Sequence, residues 1–178
     1  MKSGLFGAFA LSLALTLAGC GKSGPSTTAQ AAAKAADGVP LAALPRDMVP
    51  QRYRVTLTVD PGKPDFSGHT EIDVEVANSK ASYFIHGLDL RMQQAVAYLS
   101  SGDAVPAKYA QVHDSGVATL TFAKALPKGT VRLVFDYTAP FNTSLSGLYK
   151  VTSRGDSYAF TQFENTDARR AFPSFDEP

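Results

Sequence analysis

Arg52-Tyr53-Arg54-Val55-Thr56-Leu57-Thr58-Val59 alternates polar and apolar residues without a break. In extended chain, successive side chains face opposite sides. Tyr53, Val55, Leu57 and Val59 then share one face, and Arg52, Arg54, Thr56 and Thr58 the other. A period of two over this length predicts a half-buried strand, one face inward and one wet. Pro61-Gly62 signals a turn. Beyond it Ile72, Val74 and Val76 alternate with Glu71, Asp73 and Glu75, which predicts a second strand, closed by Asn78-Ser79. Further short strands are expected at residues 83–86, 95–99, 117–122 and 131–137, the last with Val131, Leu133, Phe135 and Tyr137 on one face. Two more fit residues 147–151 and 158–163, joined by a turn at 153–156. No stretch holds a helical period, and no internal repeat is present. Many short strands punctuated by turn residues predict an all-β domain, an antiparallel β-sandwich or saddle-shaped sheet.

The chain has 178 residues, a formal net charge of +1 and no tryptophan. It carries no basic stripe and no run of lysine or arginine, so nucleic acid is not an expected partner. Cys20 is the one cysteine, which excludes an internal disulfide and a cysteine-rich zinc site. Its meaning comes from its position. Lys2 gives a positive start, and residues 5–17 run almost entirely through Leu, Ala, Phe, Gly and Ser. That run has the length of a signal-peptide core and is too short to span a bilayer.

The run ends in Leu17-Ala18-Gly19-Cys20, which resembles the bacterial lipobox. There the signal is cut before the cysteine and the thiol takes the lipid. The competing reading, an ordinary secretory signal with an incidental cysteine, leaves the place of the lone cysteine unexplained. Several acyl chains on one residue make a stable anchor, where one alone is marginal. Residues 1–19 are therefore read as a lipoprotein signal peptide, and 20–44 as the lipidated Cys20 with a flexible tether rich in Gly, Ser, Thr, Pro and Ala. Residues 45–178 form the β domain. The expected location is the bacterial cell envelope, lipid-anchored. Gly21 follows the cysteine in place of the inner-membrane retention aspartate, which favours the outer membrane, facing the periplasm.

The closing stretch carries a second resemblance. Thr161, Gln162, Glu164, Thr166, Asp167, Ala168, Arg169, Phe172, Pro173, Asp176, Glu177 and Pro178 fit twelve of the eighteen positions of T-Q-x-E-x-T-D-A-R-x-x-F-P-C-x-D-E-P. That pattern is similar to the late N-terminal-domain signature of the aminopeptidase N family of zinc metallopeptidases. Leu44-Pro45 ahead of Tyr53, and Gly147-Leu148-Tyr149, resemble the family's opening and its G-x-Y. The resemblance thus runs from about Leu44 to the end. Asn165 stands where proline is common and Ser174 where cysteine is common.

The resemblance implies a bowl-shaped N-terminal sheet domain followed by a thermolysin-like catalytic domain. It implies that Gln162 lines the first side-chain pocket and that Glu164 helps hold the substrate's free α-amino group. The chemistry agrees: a carboxylate binds an ammonium by charge-assisted hydrogen bonds, and an amide offers both donor and acceptor. If both lie on one strand, two residues apart, they point the same way. Asp167, Arg169, Asp176 and Glu177 are read as a structural charge network that fastens the segment. The family's zinc motifs, H-E-x-x-H and G-A-M-E-N, do not occur. His69, His86 and His113 are not at ligand spacing and are read as strand or loop residues. The expectation is no catalytic residue, metal or cofactor in this chain, with zinc in a missing catalytic domain and the β domain itself incomplete at its C-terminal end. Missing strands would leave open edges and bare apolar faces. Peptides with a free N-terminal amine are the expected substrates, and the membrane is a partner through the anchor. The alternative is a non-catalytic envelope lipoprotein that binds peptides or scaffolds another protein. It gives no reason for an intact T-Q-x-E.

Overall fold

A computed structural model describes residues 38–176. The leader, Cys20, most of the expected tether, Glu177 and Pro178 lie outside the described residues. Nine strands follow in order: β1 (Met48–Thr58), β2 (Asp65–Val76), β3 (Ser82–His86), β4 (Arg91–Leu99), β5 (Ala104–Gln111), β6 (Val117–Phe122), β7 (Gly129–Pro140), β8 (Gly147–Ser153) and β9 (Asp156–Gln162). One turn of 3-10 helix at Asp167–Arg170 follows. Seven strands make one curled antiparallel sheet in the order β1-β2-β7-β4-β5-β6-β3, and β8-β9 form a separate hairpin. The all-β antiparallel reading holds, in its curled-sheet form.

The strongest alternation gives the centre. On β2, Phe66, Ile72, Val74 and Val76 are buried; on β7, Val131, Leu133, Phe135, Tyr137 and Ala139 are buried. Register sets Ile72 opposite Leu133 and Val74 opposite Val131, so the two inward faces coincide. Such cross-strand apolar pairs are the unit of sheet stability. Gly68 lies opposite Tyr137, whose ring occupies the space a side chain at Gly68 would need. The Tyr137 hydroxyl lies 3.1 Å from Thr70 Oγ1 and donates to the Ala171 carbonyl at 2.9 Å. This ties the C-terminal segment to the core.

The curl passes through β5. Its first part, Ala104 to Pro106, bonds β4, and its second part, Ala107 to Gln111, bonds β6. Pro106, which has no N–H to donate, stands at the changeover. The sequence reading missed β5 because Ala and Pro dilute its apolar alternation.

Two expectations need correction. Residues 53–59 were expected to bury one face, but Tyr53 and Val55 are each 37% exposed and Val59, beyond the end of β1, is 40% exposed. β1 has a single sheet neighbour, β2, and the described residues only partly cover its apolar side. The ordered core also begins upstream of residue 45: Val39, Pro40 and Leu44 are buried.

Candidate functional site

The site segment begins on the β8-β9 hairpin. Arg154 and Gly155, at φ 54° and 93°, make the tight turn, and positive φ at both central residues suits the right-handed twist of the strands. One hairpin face packs inward: Leu148 belongs to the core and Ala159 packs against it. Lys150, on the same face, donates to the Lys63 carbonyl at 2.9 Å. The opposite face carries Tyr149, Val151, Tyr158, Phe160 and Gln162 outward, with Tyr149 paired to Phe160 and Val151 to Tyr158.

Gln162 is the last residue of β9. Glu164 lies past it, in the turn of residues 164–166, and the Glu164–Asn165 peptide is cis. The strand-parity argument for the pair therefore lapses. Both side chains are nevertheless exposed and close in sequence. Neither makes a hydrogen bond or ion pair among the described residues. The turn itself is well held. Asp167 N donates to the Phe163 carbonyl at 2.9 Å, and the Phe163 ring meets Phe172 edge to face at 5.8 Å.

Behind the turn lies a clasp of charge. Arg169 Nε donates to Asp176 Oδ2 at 2.9 Å, a second guanidinium N–H reaches the same carboxylate, and Nη1 donates to the Ser115 carbonyl at 2.5 Å. Both side chains are largely buried, 11% and 13% exposed. Ser174 Oγ donates to Asp176 Oδ1 at 2.5 Å. The backbones of His86 and Ser174 exchange two hydrogen bonds, of 2.7 and 2.9 Å. Thus β3 grips the segment that follows the turn. Gly116, at φ 86°, leaves room for Arg169: a Cβ there would lie 2.8 Å from Arg169 Cδ. The expected network is present for Arg169 and Asp176. Asp167 instead pairs with Arg170 at 3.1 Å, and Arg170 with Asp89 at 3.5 Å. Glu177 lies outside the described residues.

The three histidines have separate fates. His86 is buried, with Nδ1 3.4 Å from Asp176 Oδ2 but outside hydrogen-bond geometry. Burial lowers its pKa to about 4; the Asp176 charge opposes that shift and the Arg169 charge assists it. His69, on the solvent face, hydrogen-bonds Asp136 at 2.7 Å, and that bond raises its pKa. His113 Nδ1 lies 2.9 Å from the Ser115 hydroxyl. Among the described residues no three His, Cys, Asp or Glu side chains converge as metal ligands. The described residues do not fit a zinc ion. His86 as a backbone anchor for Ser174 was not legible in sequence, since only the fold brings β3 beside the closing segment.

A curled antiparallel sheet with an exposed Gln-x-Glu segment clasped to its flank defines the class, an all-β domain. The comparisons with known proteins give its family. The family model for the Peptidase M1 N-terminal domain matches residues 49–178, and the chain belongs to that family. It is 32% identical over 151 residues to aminopeptidase M1-D of Oryza sativa subsp. japonica, covering 83% of this chain and 17% of that protein. It is 32% identical over 143 residues to aminopeptidase M1 of Arabidopsis thaliana, covering 76% of this chain and 16% of that protein. It is 30% identical over 144 residues to endoplasmic reticulum aminopeptidase 1 of Mus musculus, with coverage of 76% and 16%. The chain spans only 16–17% of the length of these relatives.

Proposed function

We propose that this chain is the substrate-end-binding part of a lipid-anchored zinc aminopeptidase of the cell envelope. One observation carries the reading: Gln162, at the end of β9, and Glu164, in the turn after it, stand exposed, and the segment beyond them is clamped by the Arg169–Asp176 pair and the His86 backbone. An exopeptidase must recognise an ammonium, and a fixed carboxylate does so. Fixing the turn beforehand reduces the ordering lost on binding. Gln162 then borders the first side-chain pocket. The relatives' names supply the activity class. Zinc belongs to a domain outside the described residues.

The test uses the full-length protein with aminoacyl-4-nitroanilides. Glu164→Gln is expected to lower kcat/KM by about 100-fold on every free-amine substrate, since it removes one partner of a desolvated charge pair. A loss below threefold would sink the assignment. The anchor rests on Leu17-Ala18-Gly19-Cys20. Cys20→Ser is expected to abolish incorporation of labelled palmitate and release the protein from washed envelopes. Unchanged labelling would rule out Cys20 as the lipid site.

A further inference from the structure

We infer that the solvent face of β2, β7 and β4 is a binding site for a neutral oligosaccharide, with Tyr98 as its stacking platform. The site lies on the side of the sheet away from the clasp and is independent of the role proposed for Gln162 and Glu164.

Parity builds the face. Thr70, Ile72, Leu133 and Tyr137 point into the core, and Tyr137 holds the closing segment through the Ala171 carbonyl. Their neighbours along the strands, His69, Glu71, Asp73, Arg132 and Asp136, therefore point the other way. Two cavities open on that side. The larger, about 570 Å³, runs from His69, Glu71 and Asp73 across Arg132 to Tyr98 and Ser100. The smaller, about 250 Å³, takes in Thr56, Ser67, His69, Gln93 and Asp136. They adjoin at His69. Tyr98 lies opposite Arg132, and from Arg132 to Asp136 the strand covers about 13 Å, room for more than one sugar ring.

The lining sets the class of ligand. Its charges are already spent on one another. Arg132 Nε donates to Asp73 Oδ1 at 2.7 Å, and Arg54 Nη1 donates to Glu71 Oε2 at 3.1 Å and Asp73 Oδ2 at 3.4 Å. His69 Nδ1 lies 2.7 Å from Asp136 Oδ1. Two guanidiniums thus balance two carboxylates, and little net field remains to draw an ion. Hydrogen-bonding capacity is left over. A carboxylate has about four lone-pair sites, and a guanidinium has more N–H groups than these contacts use. Both carboxylates are only part-buried. The ion pairs fix these groups before a ligand arrives, which lowers the ordering cost.

Tyr98 supplies the apolar part. It is 42% exposed and borders the larger cavity. An exposed ring beside many donors and acceptors fits a molecule with an apolar ring face and hydroxyls around its rim. A sugar is such a molecule. An extended peptide would instead seek a free strand edge, and β2, β7 and β4 each have a neighbour on both sides.

The test is calorimetric titration of the full-length protein with maltotetraose and chitotetraose, which separates plain from N-acetylated sugar. Saturable binding of at least one is expected. Tyr98→Ala should weaken it about tenfold, the scale of one aromatic contact, with Tm unchanged, and Tyr98→Phe should restore it. Arg132→Lys keeps the charge and is the second variant. It should also weaken binding, since one ammonium replaces the guanidinium fork. No saturable binding of either sugar overturns the inference. So does affinity that both variants leave intact, which would place the sugar elsewhere. Tighter binding of acidic tetragalacturonate or of acetyl-tetraalanine amide also overturns it, and would make the face a site for anions or for peptide.

Discussion

Arg169→Ala is expected to destabilise the domain by about 3–5 kcal/mol, the cost of removing one member of a buried ion pair. The loss is large because of what stays behind. Asp176 would keep its burial, and the Ser115 carbonyl would lose its partner. Lysine should recover less than half, because a single ammonium cannot reproduce the fork that reaches Asp176 and Ser115 together. Urea unfolding of the protein measures this directly, and a loss under 1 kcal/mol would show that the clasp is ornamental. The same variant should move a proton. In the native domain His86 is held neutral down to about 4 against an ordinary value of 6.5. Between those limits the unfolded chain binds a proton that the folded chain refuses. Stability from this group is therefore full above 6.5 and is lost as pH falls toward 4. Without Arg169, Asp176 faces His86 unopposed, so the His86 midpoint should rise and the window narrow. NMR titration of the imidazole reads that shift; a midpoint that stays near 4 would contradict it.

Gly68→Ala is expected to cost about 3 kcal/mol, at the upper end of overpacking losses. The new Cβ would lie 2.2 Å from Tyr137 Cζ and 2.3 Å from its hydroxyl oxygen. The ring cannot retreat, because it is 1% exposed and its hydroxyl is tied to Thr70 and Ala171. Pairing Gly68→Ala with Tyr137→Leu should cost less than the sum of the two changes, since the second removes the obstacle the first meets. A strictly additive pair in urea melts would place the damage elsewhere.

What the sequence revealed depended on how many neighbours each segment has. β2 and β7 sit between partners, so their alternation reports burial faithfully. β1 has the same alternation, but an edge strand buries only what its surroundings cover, and period alone cannot tell the two apart. β5 was invisible because Ala104, Pro106, Ala107 and Ala110 give neither strong propensity nor contrast. Gln162 and Glu164 were found through the closing motif. Their relative direction was not, because β9 ends at Gln162 and period two ends with it. The clasp lay beyond local reading: His86, Ser115 and Asp176 meet only after the sheet has curled.

The position of β7 sets an order of assembly. It is hydrogen-bonded to β2 on one side and β4 on the other, yet it is the seventh strand to be synthesised. Val76 must wait for Gly129, and Asp65 for Pro140. Until then the ribosome has produced two separate pieces, the β1-β2 hairpin and the four strands β4-β5-β6-β3, with no strand in common. Distant pairing of this kind slows folding and leaves apolar edges open to other chains. A chaperone that shields nascent chain would find its main client segment here, in the stretch between the end of β2 and the arrival of β7.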